Sequence, residues 1–579
     1  MPMKQTLQAN LLLTMLLLLV GGLSGCRDIE SKMPPTITME KTYTIKPDRK
    51  LLITPEVSND NINTIYSWKL DGRVISTEKN LEYSFPITGD YTIKYSVSTA
   101  DGTAWQEIVV KVIDLELPII GMKEGNDILA ETGELLTLTP EIANTENIKY
   151  TWELDGKAVS SEPVFEFRPD KQGVHFVHLF TQNDDGEDDY LVKVVVVPSI
   201  PLEISFPYPQ HSGTVGRPLR IEPRITTTKN ISYEWSVDGQ VIEGQTGPIL
   251  VYTPTRVGAL QVKVCAYKTD PSGAKKERAG ESIIPVQVGE PDAHFRSFNP
   301  AKSSKYGGKV YEFLAAPGQF VNEGYSAHTM DDAIKYAEER LSQDVYVSLG
   351  GFGGYLVIGF DHSIPNTGAF KGYDFAVMGN SFKGSSEPGI VWVMQDENGN
   401  GLPDDNWYEL RGSETGKEGT IQDYEVTYFR PATARSNVLW ADNMGNTGEI
   451  DWLNFHQQDS YYPIWVKPNR YVLRGTRLKS ANFDQSGQGT YWINPEYEWG
   501  YVDNFSPIDR LTDDINYGAA PNANHFRIKD AMDSNGKPIH LEYIDFVKVV
   551  TGLNTKSGWL GEVSTECFKF IDIQVPSSK

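Results

Sequence analysis

YSWKLDGRVIS at 66–76, YTWELDGKAVS at 150–160 and YEWSVDGQVIE at 233–243 are one phrase written three times, at spacings of 84 and 83 residues. Self-similarity at a fixed period marks tandem modules. Each copy has a Trp (Trp68, Trp152, Trp235), an Asp-Gly pair and an alternating strand, and TPEV, TPEI or EPRI precedes it by about a dozen residues. Asp-Gly accepts the positive φ of a tight hairpin, and alternation on either side puts the Tyr and the Trp on one face. Roughly seven short strands per module of this length make a β-sandwich.

Trp-x-x-Asp-Gly between such strands resembles the PKD or Ig-like modules of bacterial surface proteins. The resemblance covers about 35–289, as repeats at 35–116, 117–198 and 199–289, and implies that the Trp is the packing residue of each core. Such repeats serve as spacers that lift a distal domain off a membrane, or as carbohydrate binders. His175 and His178 in VHFVHLF are three apart and face opposite sides of a strand, which makes them structural rather than a metal pair.

With 579 residues the chain is expected to divide into several domains. Residues 1–25 read as a signal peptide, because Lys4 precedes the apolar run LLLTMLLLLV at 11–20, which is too short for a stable membrane span. Leu23-Ser24-Gly25-Cys26 resembles the bacterial lipobox, which implies lipidation of Cys26, with 26–34 as a linker. Cys26-Arg27-Asp28-Ile29-Glu30 further resembles the acidic signal that sends Bacteroides-type lipoproteins to the outer face of the outer membrane. Cys265 and Cys567 fall in different domains, so neither a disulfide framework nor a thiolate metal site is expected. A net charge of −24 argues against a nucleic-acid partner, since phosphate binding needs a cationic footprint.

From about Glu290 the repeat grammar stops, and 290–579 form one block. TMDDAIKYAEERLSQ at 329–343 is its clear helix, with Thr329 as N-cap, Asp332 at the capping-box position, and Ala333, Ile334, Ala337 and Leu341 on one face. VYVSLGGFGGYLVIGF (345–360), YDFAVMGN (373–380), GIVWVMQD (389–396), YEVTYFRP (424–431) and YIDFVKVV (543–550) read as strands. The expected fold is all-β: three tandem PKD/Ig-like sandwiches followed by a large jelly-roll-like sandwich with one clear helix.

Two stretches of this block bear on function. In DENGNGLPDD (396–405), Asp396, Asn398, Asn400, Gly401 and Asp404 occupy positions 1, 3, 5, 6 and 9 of a calcium-loop pattern, and the carbonyl of Leu402 falls at position 7. Position 12 is Trp407 rather than Glu, so Asp405 or Glu409 would have to complete the ligand set. Structural Ca2+ and a solvated acidic turn are the two readings. Oxygens converging on one point suit an ion better than the separated carboxyl pair of a glycosidase. GGFGG at 350–354 lacks the Lys-Ser/Thr of a phosphate loop and reads as close strand packing, and neither HExxH nor GxSxG occurs.

The second stretch, 440–505, holds 14 aromatic residues in 66, against 11% for the whole chain. Interleaved with amides, it suits a large, partly apolar, amide-rich ligand such as a sugar or a corrinoid. The candidates are Trp440, Trp452, Asn454, His456, Tyr461, Tyr462, Trp492, Tyr497, Trp499 and Tyr501; for any one of them core packing is the competing role.

Over 345–579 the chain resembles the BtuH-like Bacteroides cell-surface lipoproteins associated with cobalamin uptake. The resemblance rests on VSLGGFGG (347–354), GYDFAVMGNSF (372–382), SSEPGIVWVMQDENGNGLPDDNWYELRGSE (385–414), DWLNFHQQDSYYPIW (451–465), EWGYVDN (498–504) and IDFVKVVTGLNTKSGWLGEVSTE (544–566). It implies a surface-exposed, lipid-anchored protein that captures cobalamin as a bound ligand and passes it to a TonB-dependent transporter without covalent chemistry. His456 is the residue to test as a cobalt ligand. A glycan-binding lipoprotein of a polysaccharide-uptake system, and a glycan hydrolase with a carboxylate pair elsewhere, are the alternatives.

Overall fold

In all three repeats the Asp-Gly pair turns with both residues at positive φ: 48° and 78° at Asp71-Gly72, 51° and 76° at Asp155-Gly156, 50° and 79° at Asp238-Gly239. That is the hairpin turn whose twist matches the flanking strands. The computed structural model describes residues 33–199, 201–227, 231–269, 276–291, 294–511 and 523–575; Cys26 and the signal segment lie outside them.

The first repeat builds a five-stranded sheet in the order Thr42–Ile45, Gly102–Val112, Gly89–Thr99, Ile65–Leu70, Arg73–Ser76. Its first pair is parallel and the others antiparallel. Two short ladders complete the repeat, and the one pairing Lys50–Ile53 with Leu81–Ser84 adds Leu51, Ile53 and Leu81 to the core around Trp68. The second and third repeats have the same strand order and the same pair of short ladders. Trp68, Trp152 and Trp235 are fully buried, and each ring N–H donates to a carbonyl just beyond the hairpin, on Glu78, Glu162 and Gly247. Burying an indole with its one donor satisfied explains why Trp holds this place three times. His175 lies 2.8 Å from Asp155 and His178 2.6 Å from Asp189, so each has its own carboxylate partner.

Eight principal strands of the C-terminal domain are, in chain order, Tyr306–Gly307, Lys309–Leu314, Phe375–Met378, Gly389–Met394, Trp407–Leu410, Ala523–Phe526, Tyr543–Thr551 and Lys569–Asp572. One sheet runs first, eighth, third, sixth. The other runs second, seventh, fourth, fifth, with Tyr355–Pro365 inserted between second and seventh and Ala531–Met532 at its edge. Two antiparallel sheets that share strands in this order are a jelly roll with one extra strand. The helix Met330–Ser342 packs Ala333, Ala337 and Leu341 on the core, and the Thr329–Asp332 capping box closes its first turn.

One sequence expectation needs correction. The stretch 345–360 is not one strand: Val347–Ser348 ends at a turn and Tyr355–Pro365 starts anew. A Cβ at Gly350 would lie 2.1 Å from the Ala316 carbonyl oxygen, so GGFGG is where two backbones touch. The aromatic-rich segment lies outside the jelly-roll sheets. It falls between the fifth and sixth strands, and starts in a four-stranded sheet made by Ile421–Phe429, Val438–Asp442, Thr447–Ile450 and Arg470–Arg477.

The third repeat is docked on the C-terminal domain, which a freely jointed spacer would not be. Arg224 pairs with Glu312, Arg220 with Asp423, and Arg474 with both Glu222 and Glu425. The second repeat reaches the same domain through the ion pair of Glu131 with Arg470, beside a cleft of about 730 Å3 that all three units line.

Candidate functional site

Residues 396–405 leave the fourth strand and turn on their own side chains. Asp396 accepts the N–H groups of Gly399, Asn400 and Gly401; Asn398 accepts that of Asn400, and Asn400 that of Leu402. Nested Asx turns of this kind wind a chain around its own oxygens. The Asn398 and Asn400 amides both donate to Asp404, which gathers positions 1, 3, 5 and 9 of the pattern. Asp405 stands apart from this knot: its Oδ2 takes the Glu397 N–H, and its Oδ1 has no partner. Burial, then repulsion by Glu397, Asp404 and Asp396, pushes Asp405 up to about 9. The carboxylate oxygens of Asp396, Asp404 and Asp405 do not themselves converge as a set of three.

The same loop is a clasp on the third repeat. Asn398 donates to the Ser212 hydroxyl, the Ser212 N–H to the Asp404 carbonyl, and Thr214 and Arg217 to Glu397. Asn406 takes the Arg220 N–H and donates to the Pro218 carbonyl.

The aromatic segment is sorted by burial. Tyr461, Tyr462, Tyr497 and Tyr501 are buried, with their hydroxyls on backbone groups, so these four expected ligand contacts are packing residues. Trp452 packs at the edge of the core and donates to the Gln458 carbonyl. Trp440 lies under Gly448 and faces a cleft of about 450 Å3 shared with the second repeat. Trp499 sits 5.3 Å from the Arg527 guanidinium, in a separate pocket with Tyr373 and His525. Trp440 and Trp499 thus line different pockets, and Trp452 lines neither.

Only Asn454, His456 and Trp492 of the expected set stand near an exposed aromatic strip. His456 Nδ1 is 2.6 Å from Glu323 Oε1, and its ring lies between Phe320 at 4.8 Å and Phe455 at 5.1 Å. Phe455 is 6.2 Å from Trp559, whose ring N–H donates to the Thr490 carbonyl beside Tyr491. Phe455, Tyr491 and Trp559 are each more than half exposed. Trp492 lies against Gly558, where a Cβ would come within 2.1 Å of its ring nitrogen and φ is +55°. Glycine there lets Trp492 support the turn that presents Trp559. Sequence reasoning missed Phe320, Glu323 and Trp559. The signal for Trp559 was Ser-Gly-Trp-Leu-Gly (557–561), a Trp in a glycine-flanked turn where burial is hard to arrange.

A second feature had no local sequence signal. Among the described residues, Glu387, Asp503 and Glu566 form the one group of acidic, His or Cys side chains that brings three ligand atoms within 4.8 Å of one another. Tyr346, on which Glu566 acts, has its ring 5.7 Å from Phe568 and 6.2 Å from Phe320 of the strip.

A family model described as a PKD-like domain matches residues 34–99 and 118–183. The third repeat lies beyond those matches and has the same sheet order. No curated protein matches the chain. Solved structures similar to it include the I67–I69 fragment of the titin I-band, at 12% identity over 45% of this chain and 99% of that one, TM-score 0.21. Another is the fibronectin(III)-like modules of Clostridium thermocellum CbhA, at 18% identity over 28% and 94%, TM-score 0.18. The N-terminal domains of the bacteriophage RB49 outer capsid protein Hoc match at 12% identity over 45% and 100%, TM-score 0.25. At such TM-scores the likeness carries no argument about function. No helix among the described residues is long and apolar enough to cross a membrane.

Proposed function

We propose that the chain is a non-enzymatic binding lipoprotein, anchored through lipid at Cys26 on the outer face of the outer membrane. In this reading its C-terminal domain captures cobalamin or a related corrinoid and hands it to a TonB-dependent transporter. The observation that supports it is the strip around His456: Phe320 and Phe455 flank the imidazole, and Trp559 and Tyr491 extend the exposed aromatic surface. A corrin offers a broad face for such rings and a rim of amides for Asn454 and Gln457, both exposed beside them. Glu323 holds Nδ1 of His456, as carboxylates do for metal-ligating histidines, which leaves Nε2 as the nitrogen that would meet a cobalt ion. The resemblance over 345–579 points the same way, and no enzyme family is indicated by the PKD-like matches.

The 396–405 loop is proposed as a structural calcium site, with Asp396, Asn398, Asn400, Asp404 and the Leu402 carbonyl as its oxygens and Asp405 as a reserve carboxylate. Its Asx turns fit a cation, and the ion would offset the negative charge that the loop concentrates against the third repeat.

Calorimetry of the whole chain with cyanocobalamin tests the main reading. Saturable heat is expected, along with a change in the visible spectrum of aquocobalamin that His456→Ala abolishes. No heat at millimolar ligand overturns it, and specific binding on an oligosaccharide array in its place would make the strip a glycan platform.

A further inference from the structure

Glu387, Asp503 and Glu566 come from three separate stretches: the turn before the fourth jelly-roll strand, the end of the aromatic segment, and the short strand Glu566–Cys567. Asp503 and Glu566 are buried and Glu387 is half-buried. Asp503 is held by the N–H of Asn380 at 2.7 Å and that of Glu566 at 2.9 Å; Glu566 accepts the Ser564 hydroxyl at 2.7 Å. None of the leading influences on the three is a Lys, Arg or His. Burial, then mutual repulsion, raises both Glu387 and Asp503 well above the ordinary carboxylate range. Three such groups in a protein interior need neutralising, by shared protons or by a cation.

Two neighbouring oxygens favour the cation. Glu562 is almost wholly buried; its Oε1 takes the Gln319 N–H at 2.7 Å, its Oε2 has no partner, and its charge bears on Glu387 and Glu566. Ser381 is buried, its hydroxyl has no partner, and its own N–H is bonded to Asp503. Acceptor oxygens without donors, beside three carboxylates, make an all-oxygen donor set. Neither a thiolate nor an imidazole is among them, so hard cations are selected over zinc or copper.

We propose that Glu387, Asp503 and Glu566 bind a divalent cation of the hard, oxygen-seeking class, calcium first, flanked by Ser381 and Glu562. The half-buried Glu387 gives the ion its path from solvent. The ion ties together the segments that shape the aromatic surface, because Ser386 donates its N–H to the Asn494 carbonyl and Ser557 its hydroxyl to the Asn494 side chain. Trp492 and Trp559 sit within two residues of those bonds. This site is independent of the 396–405 loop and of the identity of any organic ligand.

Equilibrium dialysis of the whole chain against calcium, with the thermal melt read in parallel, tests it. The isosteric variants Glu387→Gln and Asp503→Asn are each expected to bind one calcium ion fewer than the parent and to gain less melting temperature from calcium, while Asp396→Ala keeps this ion. An unchanged ion count with an unchanged gain overturns the proposal and assigns the cluster to shared protons. Should neither variant fold, crystals of the parent grown with manganese decide: an anomalous peak between the three carboxylates is expected, and none there overturns it.

Discussion

Thr214 of the third repeat donates its hydroxyl to Glu397 of the C-terminal domain at 2.5 Å, and Arg217 reaches the same carboxylate from 3.1 Å. Glu397 is buried, so removing it leaves two donors of the third repeat without their acceptor at the domain boundary. Glu397→Ala is expected to cost about 2–3 kcal/mol, the upper part of the range for leaving buried donors unsatisfied. Trypsin cleavage between the third repeat and the jelly roll would accelerate. An unchanged melt and digest would show that the clasp contributes nothing to docking.

The Asx turns of 396–405 bear on metal removal. EDTA is expected to lower the melting temperature of the C-terminal domain and calcium to restore it, with a smaller restoration in Asp396→Ala. A gain in that variant equal to the parent's would make the loop a self-bonded turn.

Glu409 provides a pH dependence. It is buried on Thr476, and burial raises it from 4.5 to about 7, against the pull of that hydrogen bond and of Arg220. The raised value means that the folded state holds a proton the unfolded state has released. Its contribution is therefore complete below pH 4.5 and is lost as pH rises to about 7, then stays level. The loss is on the order of 3 kcal/mol. Denaturant melts between pH 4.5 and 8 should show that slope in the parent and a shallower one in Glu409→Gln; equal slopes would count against it.

Trp559→Ala is expected to weaken corrinoid binding about 30-fold, the ~2 kcal/mol of an interface anchor. Trp499→Ala, in the Arg527 pocket, should leave affinity within about twofold, since residues off an interface are near neutral. Gly558→Ala should weaken binding indirectly, because its methyl group displaces Trp492. Titration calorimetry of the three variants separates these outcomes, and equal losses for Trp559 and Trp499 would misplace the strip.

Much of the fold was legible. The Asp-Gly turns, the Trp-centred sandwiches and the capped helix depend on residues within a few positions of each other, and local φ preference and side-chain period decide them. The candidate site was legible only in part. Tyr461 and Tyr462 look like ligand aromatics in DSYYPIW, yet they are fully buried while their neighbours Asn454 and Phe455 are exposed, and no local pattern separates the two pairs.

By itself the sequence determined the three repeats, the β-rich C-terminal block and an acidic loop that winds on its own oxygens. Tertiary structure alone decided that this loop clasps Ser212 and Thr214, that Phe320 and Trp559 flank the His456 surface, and that Glu387, Asp503 and Glu566 meet. The physical reason is the jelly roll's strand order. It lays the eighth strand beside the first and the seventh beside the fourth, so partners distant in the chain become neighbours only once both sheets have closed.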